Sequence, residues 1–143
     1  MVTTIDFAPV TCSLGATQIS VERDPANGQV RVLLAGSVDL GCAPLALSPY
    51  KLMAAAALVV EGIEAIPDRL ECHREEVELV LAVSGDLQLA ARFVGGETVI
   101  VLTVRSTGAA AAVPAARGAD LYLALRGAGQ WLRASDFLRP ARS

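Results

Sequence analysis

The chain has 143 residues, of which 53% are hydrophobic and 19% charged, and its formal net charge is −3. That length suits one domain that buries a core without disulfides or metal, and no apolar run reaches the roughly 18–20 residues of a membrane helix. An acidic balance, with an isoelectric point near 5.1, argues against a nucleic-acid binder, whose domain should carry a dominant basic face.

Taken in order, residues 3–7 read as a short extended piece closed by Pro9, with a second around 10–14. Residues 17–23 alternate, with Ile19 and Val21 inward against Gln18, Ser20 and Glu22. Residues 24–28, DPANG, form a turn signal because Pro fixes an early turn position and Asn and Gly tolerate positive φ. Residues 29–35 return with Val30, Val32 and Leu34 on one face, completing a hairpin. An irregular stretch, 36–47, leads on to Ser48.

The one long segment with a helical period is 48–66, SPYKLMAAAALVVEGIEAI. Ser48 is placed to cap the first turn with its side chain, and Pro49 loses no bond at the first helical position. Pro67 is expected to stop the helix. At 100° per residue Leu52, Ala55, Ala56, Val59, Ile63 and Ile66 share one face, with Tyr50, Glu61 and Glu64 opposite and Lys51 to one side. The alanines on the inner face imply close approach to a sheet.

An acid-rich connection follows, and then a three-stranded meander over 76–83, 87–94 and 97–105, with tight turns at Gly85 and at Gly95-Gly96. Both faces of these strands are apolar, whereas a half-solvated antiparallel sheet alternates. The helix covers one face, so the other calls for the N-terminal hairpin as a second layer or for another subunit. Residues 107–118, TGAAAAVPAARG, read as a flexible small-residue connection. Residues 120–126 read as a last strand, with Leu121, Leu123 and Leu125 on one side, and 130–138 fit a helix or a strand equally. The expected fold is α+β: one long central helix packed on a mostly antiparallel sheet made of the N-terminal hairpin, the meander and a further strand. Residues 1–143 form a single domain, with 127–143 as a docking tail.

Charge is unevenly spread. Residues 1–104 hold 6 basic and 13 acidic groups, a net −7, and residues 105–143 hold 6 basic and 2 acidic groups, a net +4. The acids concentrate between Glu61 and Glu78 and include Glu71, Glu75 and Glu76, while every basic group of the last part is arginine. Such asymmetry fits contact between the two regions, within one chain or between copies. In the tail Trp131 and Phe137 lie among Arg126, Arg133, Arg139 and Arg142. Trp and Arg anchor protein interfaces, and aromatic stacking with arginine also suits single-stranded nucleic acid. Docking to protein ranks above nucleic acid.

Chemistry-bearing motifs are sparse. Cys12, Cys42 and Cys72 stand 30 residues apart, without the close pairs that structural zinc uses. The only histidine, His73, is adjacent to Cys72, and neighbouring side chains on a strand point to opposite faces, so the two make no dyad. No glycine-rich phosphate loop, nucleophile elbow or H-E-x-x-H motif occurs, and no metal or cofactor is expected. The residues 1–9, MVTTIDFAP, have neither the basic region nor the apolar core of a secretory signal. With an odd number of cysteines besides, a cytoplasmic location or a place in an intracellularly assembled particle is expected.

The run SPYKLMAAAALVV, with the hairpin 18–35 before it, resembles the OsmC/Ohr peroxidase family, in which an N-terminal hairpin leads into a helix opened by a similar run. That resemblance implies a small-ligand or thiol enzyme whose helix carries a reactive cysteine, where this chain has apolar residues through Val59 and Val60. The order of strands, helix, strands and a short terminal element is also similar to the Whirly and PUR-type single-strand binders, which implies nucleic-acid binding by topology. The residues themselves favour a non-catalytic structural or interaction subunit that associates with itself or docks on another protein, with nucleic-acid binding and an OsmC-like enzyme as the alternatives.

Overall fold

The computed structural model describes residues 11–14, 17–23, 29–69 and 78–134. Four antiparallel strands come first, β1 (Thr11–Leu14), β2 (Thr17–Arg23), β3 (Val30–Gly36) and β4 (Leu45–Leu47), followed by helix α1 (Leu52–Arg69). Four more follow, β5 (Leu79–Ser84), β6 (Leu87–Val94), β7 (Glu97–Val104) and β8 (Ala110–Pro114), and then helix α2 (Gly118–Ala134). Each set of four is a sheet in sequence order, so the chain is the same four-strand-plus-helix unit built twice. The α+β class holds, but with two sheets and two helices in place of one sheet around a single central helix.

The helices are exchanged between the units. α1 rests on β5 and β6 of the second sheet, α2 on β2 and β1 of the first, and β3 meets β8 where β4 meets β7. These reciprocal contacts are those of a twofold repeat. The two helices pack side by side and run antiparallel, since Gly118 lies against Ile63 and Gly129 against Leu52. Between the layers is one contiguous core, which includes Ile19, Leu34, Leu45, Leu58, Leu89, Ile100, Leu121 and Leu125. Alternation explains the first sheet: Ile19, Val21, Val32 and Leu34 enter the core, and Glu22 and Arg31, directly opposite in register, form an ion pair on the outside.

Two close approaches set the layers. A Cβ on Gly62 would fall 2.2 Å from a terminal methyl of Leu89, so this glycine, with Ala55 and Ala56, lets α1 settle on β6. A Cβ on Gly36 would fall 1.8 Å from the carbonyl oxygen of Ala112, which fixes β3 against β8 at the junction of the halves.

Several expectations need correction. Residues 107–118 are not a loose connection: they hold β8 and a 3-10 turn at Ala115–Arg117. The stretch 120–126 is helix, not strand, and the helix continues through 130–134. Its buried residues Leu121, Ala124, Leu125, Ala128 and Leu132 recur at three- and four-residue intervals. α1 passes Pro67 and ends at Arg69, since a proline in the last turn removes only one bond there. It is opened by a 3-10 turn, Pro49–Lys51, in which the backbone carbonyl of Ser48 accepts from the Lys51 amide, and the Ser48 side chain makes no cap. The turn at 24–28, the piece at 3–7 and the acidic run 70–77 lie outside the described residues.

The second apolar face of the meander is covered by the chain itself. The segment 37–44 crosses β8, with the Val38 amide donating to Ala112 O and the Ala110 amide donating to Ala43 O, both at 3.1 Å. Val38 and Leu40 thereby close over Val99, Val101 and Ala112. On β5 a bulge between Val80 and Ala82 shifts the alternation, so that Leu81 and Ala82 both enter the core while Val80 and Val83 face out. This face therefore needs no second subunit over β7 and β8.

Candidate functional site

Among the described residues, exposed large apolar side chains lie on β5, at Val80 and Val83, and along the outer face of α1 and the turn that opens it. The inner residues of α1 divide between two neighbours: Gly62 faces β6, while Leu52 and Ile63 lie toward α2. Outside these contacts the helix carries no charge before Glu61, and Met53, whose sulfur lies beside Gly129 of α2, is covered on that side only. Tyr50 is 90% exposed, Met53 46% and Val60 37%, and Ala54 and Ala57 between them are exposed as well. A helix apolar all round is normally a buried one. Charge returns only at the ends of the stripe, with Lys51 on one flank at the start and Glu61 and Glu64 at the finish, all three exposed. The sequence placed Tyr50, Glu61 and Glu64 on this face but left Met53, Ala54, Ala57 and Val60 unused. The signal was available, because no polar side chain stands between Lys51 and Glu61.

The residues singled out in the tail are only partly brought together. Arg126 is on the exposed side of α2, and its Nη1 donates to the Tyr122 hydroxyl at 3.0 Å. Trp131 is half-buried and packs against the main core, so its ring is not a free stacking platform. Arg133 lies in the last turn of α2. Phe137 and Arg139, like Glu71, Glu75 and Glu76, lie outside the described residues, as do Cys72 and His73.

Cys42 is exposed in the segment 37–44. It borders a cavity of about 160 Å³ together with Asp39, Leu40, Pro44 and Ala110, smaller than the roughly 300 Å³ at which small-molecule sites begin. The Asp39 carboxylate is occupied in its own turn, accepting from the Gly41 amide at 2.8 Å. No group of three or more metal-ligating side chains occurs among the described residues, and none of their helices is long and apolar enough to cross a membrane.

Among the described residues, one carboxylate departs from its ordinary titration. Asp86, in the turn between β5 and β6, accepts from the Ser106 hydroxyl and from the Ser106 amide at 2.9 Å. The hydroxyl bond lowers its pKa most, against an opposing desolvation effect, and the Ser106 amide, Lys51 and Arg105 lower it further. With the Arg105 amide donating to Asp86 O at 2.7 Å, the arrangement ties two neighbouring turns of the second sheet together. It is a fastening rather than a reactive constellation.

No family model matches the chain, and no curated protein matches it.

Proposed function

We propose that this chain is a non-catalytic interaction subunit that assembles with itself or docks on a partner protein. The observation that carries this reading is the uncharged outer face of α1, where Tyr50, Met53 and Val60 stay exposed on one stripe. Contiguous apolar surface of that kind is uncommon on monomers and is more often an interface. Its test is the absolute mass in solution, by light scattering after size exclusion, at low and high salt. A mass above 14.8 kDa that rises with concentration and survives high salt is the expected result. An oligomer that dissociates in salt points instead to contact between the acidic run and the arginine tail, and a strict monomer that captures no partner removes the reading.

A second reading, single-stranded nucleic-acid binding, is favoured by the element order. The order of strands, helix, strands and terminal element on which the resemblance to the Whirly and PUR-type binders rests is kept, with α2 as the terminal element, although fold does not carry function. It predicts strongly salt-dependent binding of a single-stranded oligonucleotide by fluorescence anisotropy. Lack of binding at low salt eliminates it.

A further inference from the structure

Resting on the self-association reading, we infer that two copies of this chain pair through α1, antiparallel about a twofold axis that passes beside Ala57. An isologous contact requires one patch to be complementary to itself, and the stripe has that property when reversed. Ala57 lies midway along the uncharged face, and Ala54 and Ala57 are the small residues that allow two helix backbones to approach. Residues equally far from Ala57 then meet across the axis. Met53 of one copy comes level with Glu61 of the other and Val60 with Ala54, so Met53 and Val60, 46% and 37% exposed in the single chain, lie one residue apart across the axis and cover one another.

Charge follows the same reversal. Tyr50 comes level with Glu64, a phenolic donor beside a carboxylate. Lys51 lies on the flank of the helix that also carries Glu61, so each lysine approaches an acid of the other copy. A parallel pairing would instead set Glu61 beside Glu61 and Glu64 beside Glu64. The sign pattern therefore selects the antiparallel arrangement. The stripe spans about 20 Å at 1.5 Å per residue, an interface at the small end of the range, so the dimer should dissociate in the micromolar range.

Sedimentation equilibrium on the full chain, from about 1 to 100 μM, tests this with four variants. Ala57→Glu brings two like charges together at the axis and should abolish the dimer. Lys51→Glu and Glu61→Lys should each weaken association several-fold, and the double exchange Lys51→Glu/Glu61→Lys should recover it. All three positions are exposed in the single chain, and circular dichroism checks that the fold is kept. If Ala57→Glu fails to fold, the charge exchange decides alone. A dimer indifferent to Ala57→Glu and to the exchange overturns this geometry but leaves self-association through another surface standing. A monomer throughout the range overturns both.

Discussion

α1 and α2 occupy equivalent places in the two halves, yet their outer faces differ. α2 turns Ala119, Arg126 and Gln130 to solvent, a usual amphipathic division. α1 turns out Tyr50, Met53, Ala54, Ala57 and Val60 before its first acid. Because both helices do the same structural work, each resting on the other half's sheet, the scaffold does not demand an apolar outer face. α2 serves as an internal control for α1. The excess of apolar surface on α1 is then not something the fold requires, and the proposed contact rests on that difference. The sheets make the same point in reverse over β7 and β8, where the segment 37–44 covers the apolar far side within the chain, while Val80 and Val83 of β5 stay exposed.

The comparison depends on the two halves being one body, and Gly36→Ala is the most direct way to break it. With 1.8 Å between the added Cβ and Ala112 O, an obstacle that is backbone, β3 and β8 must separate. A loss of about 3 kcal/mol is expected in urea unfolding. Next in size is the test that α2 is the counterpart of α1 at all. A strand over 120–126 would put Leu123 inside and Ala124 outside, whereas the helix buries Ala124 completely and leaves Leu123 half-buried. Ala124→Asp should therefore cost about 3 kcal/mol or prevent folding, from a charge buried without a partner, and Leu123→Gln about 1 kcal/mol. The reverse order would restore the strand.

That pair of residues also marks where the sequence became unreadable. β2 and β6 were legible to the residue, β2 because it alternates strictly and β6 because tight glycine turns at Gly85 and Gly95-Gly96 bound it on both sides. The inner face of α1 was legible for the same kind of reason. In α2 three leucines at spacing two mimic a strand, and Gly118, Gly127 and Gly129 depress helix propensity, so local preference pointed away from the outcome. What overrides it is tertiary: α2 packs along α1, and Gly118 sits where an added Cβ would fall 2.7 Å from a terminal methyl of Ile63. β8, Ala110–Pro114, offered only small residues to read, and its role depends on β7 and on the covering segment rather than on its own pattern. The repeat escaped notice because it lives in topology. The candidate surface was half visible, since a helical wheel shows Met53 and Val60 facing out but does not show how much of each the other described residues leave exposed.

A smaller effect sharpens the contrast between the sheets in acid. The folded pKa of Asp86 is lowered, so its contribution is present above the unfolded value near 3.9 and is lost as pH falls through the folded value. Ser106→Ala removes the main cause of the shift. The stability difference between wild type and Ser106→Ala should be constant from pH 7 to about 5 and shrink below about 4, followed by denaturant midpoints. A difference independent of pH would mean that Ser106 acts through packing of the turns and not on the ionised carboxylate.

The smallest effect belongs to the first sheet, at Glu22 and Arg31. Their side chains are 39% and 45% exposed, so solvent screens the pair and a double-mutant cycle with Glu22→Gln and Arg31→Gln should give a coupling of about 0.2–1 kcal/mol that fades with salt. Its value lies in what a larger number would mean. This pair stands on the outer face of the first sheet, and α1 presents its stripe elsewhere. If association involved that sheet, the pair would lose its water in the oligomer, and the coupling would rise with protein concentration and resist salt. A small coupling, equal at low and high concentration, leaves the outer face of the first sheet in solvent and outside any contact.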